Sequence, residues 1–278
     1  MALRPSPDEI EVDGTSIQFL TWGRRGSPGL LLVHGGLANA FWWAHLGPAL
    51  AQDYRVAALS LSGMGHSGHR PHYTLAGYAN ELHCVAVSAG LMDAGPPVIA
   101  AHSFGTAPTM LLLSDPDCWA SGAILIDGDP DTLTGEPPGE MRRERQYYPS
   151  LSAALARYRL MPFEPCHNAF IVDDIARASL RNDENGYFWA HDPGIGYRLQ
   201  LNDPRARIVE TRRPICIIHG EHSAIIRGPV LDALRKKAPF GTPFLEIGGA
   251  GHHTMISAPA DTLAAIRRMA DWIARTQA

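Results

Sequence analysis

Apolar residues along this chain gather in short, unbroken runs. Residues 29–33 (Gly-Leu-Leu-Leu-Val), 97–101 (Pro-Val-Ile-Ala-Ala), 121–126 (Ser-Gly-Ala-Ile-Leu-Ile) and 214–218 (Pro-Ile-Cys-Ile-Ile) are the clearest. Runs of this kind fit strands covered on both faces, as in a parallel sheet. Residues 54–61 and 242–247 read as further strands. Residues 10–22 alternate loosely around Asp13-Gly14, a hairpin dipeptide, and predict two edge strands. Between the runs lie stretches with helical spacing, at 41–50, 73–91, 107–113, 228–237 and 261–276. Strand and helix therefore alternate, which predicts right-handed βαβ units.

From residue 131 to 207 the pattern changes. No apolar strand run appears. Helix-like pieces at 141–148, 151–160 and 172–180 carry mixed aromatics and charges. This segment reads as a helical cap inserted into a core made of residues 1–130 and 208–278.

In an open parallel sheet, ligands bind beyond the carboxyl ends of the strands. Four such ends carry candidate chemistry. Residues 101–105, Ala-His-Ser-Phe-Gly, place a serine between small residues, after an apolar run and before a helix-compatible one. That is the setting of a nucleophile elbow, whose tight turn tolerates only small residues two positions from the serine. Ser103 is the candidate nucleophile. His34-Gly35-Gly36 follows the strand run at 29–33, where glycines let backbone amides face an oxyanion. Asp127 closes the run at 121–126, and Gly249-Ala250-Gly251-His252-His253 closes the last strand.

The chain has 278 residues and a net charge of −4, with no Lys/Arg run, so nucleic acid is not an expected partner. No apolar run reaches the roughly 18 residues of a membrane helix, and the first residues lack the apolar core of a secretory signal. A cytoplasmic location is expected. Cys84, Cys118, Cys166 and Cys216 form no CxxC pair and read as free thiols. The glycine-rich loop at 62–68 has no P-loop lysine. His66, His69 and His72 read as solvated loop residues, so neither a metal nor a cofactor is expected.

Taken together, the stretches His34-Gly35-Gly36, Gly63-Met64-Gly65-His66-Ser67, Ala101-His102-Ser103-Phe104-Gly105 and Gly249-Ala250-Gly251-His252 resemble the α/β-hydrolase fold family. Their order covers nearly the whole chain. The resemblance implies a mostly parallel central sheet flanked by helices, with an inserted cap. It implies Ser103 as nucleophile, His252 as general base, and an oxyanion hole from the backbone N–H groups of Gly36 and Phe104.

The sequence departs from the common pattern at the acid. Most relatives carry Asp at the end of a Gly-x-x-Asp tetrapeptide after the seventh strand. Here that tetrapeptide is Gly220-Glu221-His222-Ser223, and a hydroxyl cannot supply the charge an imidazolium requires. Some relatives place the acid after the sixth strand, where Asp127 stands. Asp127 is the expected acid, with Glu221, Asp129 and the absence of any acid as alternatives. A second departure puts Ser60 and Ser62 where relatives have Asp and Arg or Pro, which predicts the loss of a structural polar pair.

A serine nucleophile points to acyl transfer to water, with an ester or lactone as the expected substrate. Amide or C–C bond hydrolysis uses the same residues, and a non-catalytic ligand-binding member of the fold is the alternative class. Cap aromatics suggest an apolar or aromatic small molecule. His34, Gly35, Tyr148, Phe188, Trp189 and His253 are the candidate substrate contacts. Arg142, Arg143 and Arg145 are candidates to meet an anionic group.

Overall fold

A computed structural model describes residues 7–131, 144–201 and 203–277. The chain opens with a hairpin of β1 (Asp8–Val12) and β2 (Thr15–Trp22), turned at Asp13-Gly14. Of these two strands, only β1 is an edge strand. The expected second edge is wrong because β2 also pairs, antiparallel, with a later strand of the sheet. β3 (Gly29–Val33) follows, then a 3₁₀ turn (Ala40–Trp43) and the short α1 (Gly47–Leu50). The single helix expected over 41–50 is thus two pieces, with Pro48 in the first turn of the second.

Next come β4 (Arg55–Leu59), the two-residue β5 (Tyr73–Thr74) and α2 (Leu75–Ser88). Thr74 caps α2 by accepting a bond from the Gly77 N–H at 3.0 Å. β6 (Val98–His102) runs through a 3₁₀ turn (Ser103–Gly105) into α3 (Thr106–Ser114), and β7 (Gly122–Ile126) returns to the sheet.

The inserted segment contains α4 (Leu151–Leu155), α5 (Ala169–Ala178), β8 (Leu180–Asp183), β9 (Gly186–Trp189), α6 (Ile195–Arg198) and β10 (Leu199–Gln200). It is not purely helical. β8 and β9 form an antiparallel hairpin, and β10 pairs in parallel with β5 of the core. No helix spans residues 144–148, and the rest of the helix expected over 141–148 lies outside the described residues.

β11 (Ile215–Gly220), α7 (Pro229–Lys237), β12 (Phe244–Ile247), α8 (Thr254–Ser257) and α9 (Pro259–Gln277) complete the chain. The sheet order is β1-β2-β4-β3-β6-β7-β11-β12, parallel from β4 to β12. Alternate residues of each central strand face opposite cores. Leu31 and Val33 pack with Leu82 and Met110 beneath α2 and α3. Leu30 and Leu32 pack with Trp43, Leu50 and Ile266 beneath α1 and α9. All of these side chains are fully buried. This double coverage explains why the strand runs lack polar alternation.

Pairing also fixes where the strands end. Val33 lies opposite Ala101, His102 opposite Ile126, and Gly220 opposite Ile247. The loops carrying His34–Leu37, Ser103, Asp127 and His252 therefore leave one edge of the sheet together. Among the described residues, no helix is long and apolar enough to cross a membrane.

Candidate active site

Ser103 sits at the apex between β6 and α3 with φ of +50°. A non-glycine residue there costs about 1 kcal/mol, so the surrounding packing must hold it. That packing is tight on every side. A Cβ on Gly105 would stand 2.6 Å from the His34 carbonyl oxygen, and one on Gly128 would stand 2.7 Å from the Ser103 carbonyl oxygen. A Cβ on Gly35 would meet His102 Nδ1 at 2.9 Å and the Ser103 Cβ at 3.1 Å. The Thr106 hydroxyl donates to the Ser103 carbonyl at 2.7 Å and closes the turn.

His252 reaches this apex from the loop after β12. Its Nε2 is 3.1 Å from Ser103 Oγ, and its Nδ1 is 2.7 Å from Asp127 Oδ1. His252 and Asp127 are both buried. The loop is held from two directions. The His222 N–H donates to the Ala250 carbonyl at 2.8 Å, and His102 Nε2 lies 3.1 Å from the His252 carbonyl. His102 itself stays neutral, because burial and then the nearby His252 and His253 push its pKa well below the usual imidazole range.

Asp127 adopts φ of +46° directly after β7. Its carboxylate accepts three bonds besides any role at the sheet edge. His252 and the Ser223 hydroxyl meet Oδ1 at 2.7 and 2.6 Å, and the Gly220 N–H meets Oδ2 at 2.8 Å. Ser223, the residue at the common acid position, therefore serves the carboxylate instead of replacing it. Its own Oγ accepts from the Ile226 and Ile225 N–H groups at 2.8 and 3.0 Å. Glu221 lies elsewhere: its carboxylate accepts from the Gly249 N–H at 2.7 Å and is partly exposed. Asp129 accepts from the Asp131 N–H at 3.0 Å, at the start of the inserted segment.

Gly36 and Phe104 are neighbours, since a Cβ on Gly36 would stand 3.7 Å from the Phe104 Cβ. The Phe104 N–H belongs to the first turn of the 3₁₀ helix, where amides have no partner within the helix.

A cavity of about 350 Å³ opens at Gly36, one residue along from Gly35, which packs against Ser103; Ser103 and His252 are not among the residues that line it. Gly36, Leu37 and Trp42 wall it from the core, and Tyr158, Trp189 and His191 from the inserted segment. Its size suits a small organic molecule. Of the six expected substrate contacts, Trp189 lines it. The others sit elsewhere for identifiable reasons. His34 is fully buried behind the turn, with Nδ1 2.6 Å from the Gly35 carbonyl and Nε2 3.0 Å from the Leu61 N–H. Burial drops its pKa to about 4 and keeps it neutral. Gly35 backs onto His102. Tyr148 accepts a bond from Trp189 Nε1 at 3.3 Å, and Phe188 is buried beneath Arg145, whose Cζ is 4.1 Å from the ring centre. His253 packs on Trp42 with ring centres 5.3 Å apart, its Nδ1 3.2 Å from Glu164 Oε1.

Arg145 is thus committed to an aromatic face, and Arg142 and Arg143 lie outside the described residues. The polar pair expected to be missing near Ser60 and Ser62 has a substitute. Glu81, fully buried, accepts from the Ser62 N–H at 2.9 Å and from Arg70 Nε at 3.1 Å. His66 Nε2 lies 3.2 Å from the Ala178 carbonyl, so it bridges to the inserted segment. Among the described residues, no three His, Cys, Asp or Glu side chains are grouped to hold a metal ion.

Asn39, Tyr158, His191, Ser223 and Glu164 escaped sequence reasoning. Ser223 was visible only as a missing acid. Asn39 caps the 3₁₀ turn after β3, and Tyr158, His191 and Glu164 lie in the inserted segment, whose fold over the sheet decides which of its side chains reach the site.

Solved structures of similar shape cover nearly the whole chain. A thioesterase domain from the curacin biosynthetic pathway matches with a TM-score of 0.76 and 21% identity, over 94% of this chain and 98% of its own. An E-2-(acetamidomethylene)succinate hydrolase matches with a TM-score of 0.79 and 18% identity, over 96% and 99%. A Mycobacterium tuberculosis esterase matches with a TM-score of 0.72 and 19% identity, over 96% and 91%. At these identities the likeness is one of fold. By sequence, the acetyltransferase component of the acetoin cleaving system of Pseudomonas putida is 33% identical over 107 residues, which is 38% of this chain and only 28% of that protein. The model of the alpha/beta hydrolase family matches residues 30–266, spanning both the sheet and the segment inserted in it, and the chain belongs to that family.

Proposed function

We propose that this protein hydrolyses a carboxylic ester or lactone through an acyl-enzyme on Ser103. One observation carries the proposal: the unbroken relay from Ser103 Oγ to His252 Nε2 at 3.1 Å and from His252 Nδ1 to Asp127 Oδ1 at 2.7 Å. A serine hydroxyl is a weak nucleophile until a base takes its proton. His252 is in reach to do so, and Asp127 fixes the tautomer that leaves Nε2 free.

The reaction runs in two halves. Ser103 Oγ attacks the carbonyl carbon while His252 takes the hydroxyl proton. The carbonyl oxygen becomes an oxyanion, held by the Gly36 and Phe104 N–H groups, each worth roughly 10²–10³ in rate by analogy with measured donors. The tetrahedral species collapses, the C–O bond to the alcohol breaks, and His252 returns the proton to that oxygen. A water then enters, gives a proton to His252 and attacks the acyl-enzyme. The second collapse releases the carboxylic acid and restores Ser103.

The described part of the inserted segment, through residues between Arg157 and His191, acts as the cap that shapes the substrate chamber. Trp42, Tyr158 and Trp189 on its wall support an apolar or aromatic small molecule as substrate. The names borne by the similar structures, esterase and thioesterase among them, support acyl transfer as the reaction class. A panel of aryl and alkyl esters and lactones, run beside Ser103→Ala, tests the proposal. Turnover that disappears in Ser103→Ala is expected. A panel in which no member is hydrolysed faster than by Ser103→Ala refutes it.

A further inference from the structure

The chamber beside Gly36 has an uneven charge. Arg157 and Arg159 both line it, and among the described residues its wall holds no aspartate or glutamate. The chain as a whole is acidic, at −4, so this wall runs against the average. Both arginines are exposed. Among the described residues, neither is paired with a carboxylate.

Two of the other polar side chains there, Asn39 and Ser179, are already engaged. Asn39 Nδ2 donates to the Ser179 hydroxyl at 2.7 Å, and that hydroxyl donates to the Ile175 carbonyl at 2.8 Å. Arg159 is partly fixed. Its Nη1 donates to the Tyr158 and Ala156 carbonyls at 2.6 and 3.0 Å, which orients the guanidinium and leaves Nε and Nη2 for another acceptor. Two guanidiniums therefore share a chamber with one of the amides that would hold the scissile carbonyl.

Building on the hydrolase proposal above, we infer that the substrate carries a carboxylate besides its scissile carbonyl, and that Arg157 and Arg159 receive it. A guanidinium presents parallel N–H groups that match the two oxygens of a carboxylate. The aromatic wall of Trp42, Tyr158 and Trp189 would then cover the apolar stretch between the two ends. The specificity is for a half-ester or a similar acid-bearing acyl compound, in preference to a neutral one of the same length.

The test compares 4-nitrophenyl hydrogen adipate with its neutral methyl ester, which differ in one charge. In the wild-type protein, kcat/KM should favour the acid by about tenfold or more at low salt, the scale of a charge-assisted hydrogen bond. The preference should shrink in 1 M NaCl, where the Debye length falls to about 3 Å. It should vanish in the double variant Arg157→Gln/Arg159→Gln. Equal kcat/KM for the two esters, or a preference that survives in the double variant, overturns the inference.

Calorimetric binding of 4-phenylbutyrate and its amide provides a readout that needs no turnover. Tighter binding of the acid, lost in the double variant, upholds the arginine site even if neither ester is hydrolysed. In that case the hydrolase proposal alone fails. Hydrolysis of both esters with no acid preference in either assay leaves the hydrolase proposal standing and removes this one.

Discussion

Replacing Asp127 by Asn changes one buried atom and should cost nearly all of the activity. The carboxylate accepts from His252 Nδ1 and Ser223 Oγ at one oxygen and from the Gly220 N–H at the other. All three partners are donors, so an acceptor-only group is required. An amide must point its NH₂ at one side or the other. If its oxygen stays with Gly220, the NH₂ faces His252 Nδ1. That nitrogen must then lose its proton, and the ring proton moves to Nε2, the atom 3.1 Å from Ser103 Oγ. The base is gone. If the amide is reversed, its NH₂ faces the buried Gly220 N–H and leaves it unsatisfied, at about 1–3 kcal/mol of stability. The imidazolium also loses its counter-charge in either orientation. By analogy with other triads, the fall in kcat is roughly 10⁴, or about 5 kcal/mol of barrier. The assay is initial-rate hydrolysis of 4-nitrophenyl butyrate, with circular dichroism to confirm that the variant is folded. Glu221→Gln, whose partners are the Gly249 amide and the exposed His222 ring and not His252, should stay within twofold of wild type. A folded Asp127→Asn within tenfold of wild type, or a large loss in Glu221→Gln, refutes the assignment of the acid.

Other perturbations follow from the same geometry. Ser223→Ala removes one donor to Asp127 and the acceptor for two N–H groups, so kcat should fall about tenfold and urea denaturation should show a loss of about 1–2 kcal/mol. Arg70→Ala strands the buried Glu81 carboxylate and should destabilise the fold by about 3–5 kcal/mol, while Arg70→Met/Glu81→Leu should recover most of that loss; denaturation midpoints of the two proteins decide it. His34 has its pKa lowered to about 4 by burial, below the 6.5 of an unfolded imidazole, so acid protonates the unfolded chain first. Its stabilising share is complete above pH 6.5 and lost as the pH falls toward 4. Unfolding free energy should drop by about 2 kcal/mol between pH 6.5 and pH 5 on this group's account, and His34→Asn should show a slope shallower by about one proton.

The central sheet was legible because both faces of each inner strand are covered, which leaves uninterrupted apolar runs such as Leu30-Leu31-Leu32-Val33. The elbow was legible because its tight turn restricts residue size on either side of Ser103, as the crowding of Gly105 against the His34 carbonyl shows. The inserted segment was read less well. Its hairpin shows no alternation of buried and exposed residues, with burial confined to Leu180 and Phe188, so nothing in its four-residue strands rises above the surrounding charges. The expected substrate contacts suffered from the same cause. Aromatic content marks the segment but not which rings face inward, and Tyr158 lines the chamber while Tyr148 and Phe188 support its frame. At the acid, Ser223 carried information in the opposite sense to its first appearance. A hydroxyl at the common acid position marks a carboxylate nearby that it can serve, and Asp127 is that carboxylate.

Reaction with a fluorophosphonate tests the proposed chemistry at its root, because it needs a serine made nucleophilic by a base and no particular substrate. Incubation with an alkyl fluorophosphonate followed by intact-mass and peptide mass spectrometry should show one adduct per chain, on Ser103, abolished in Ser103→Ala and slowed at least 10³-fold in His252→Ala. A folded wild-type protein that stays unlabelled at Ser103, or that labels equally well without His252, contradicts a catalytic serine at this site.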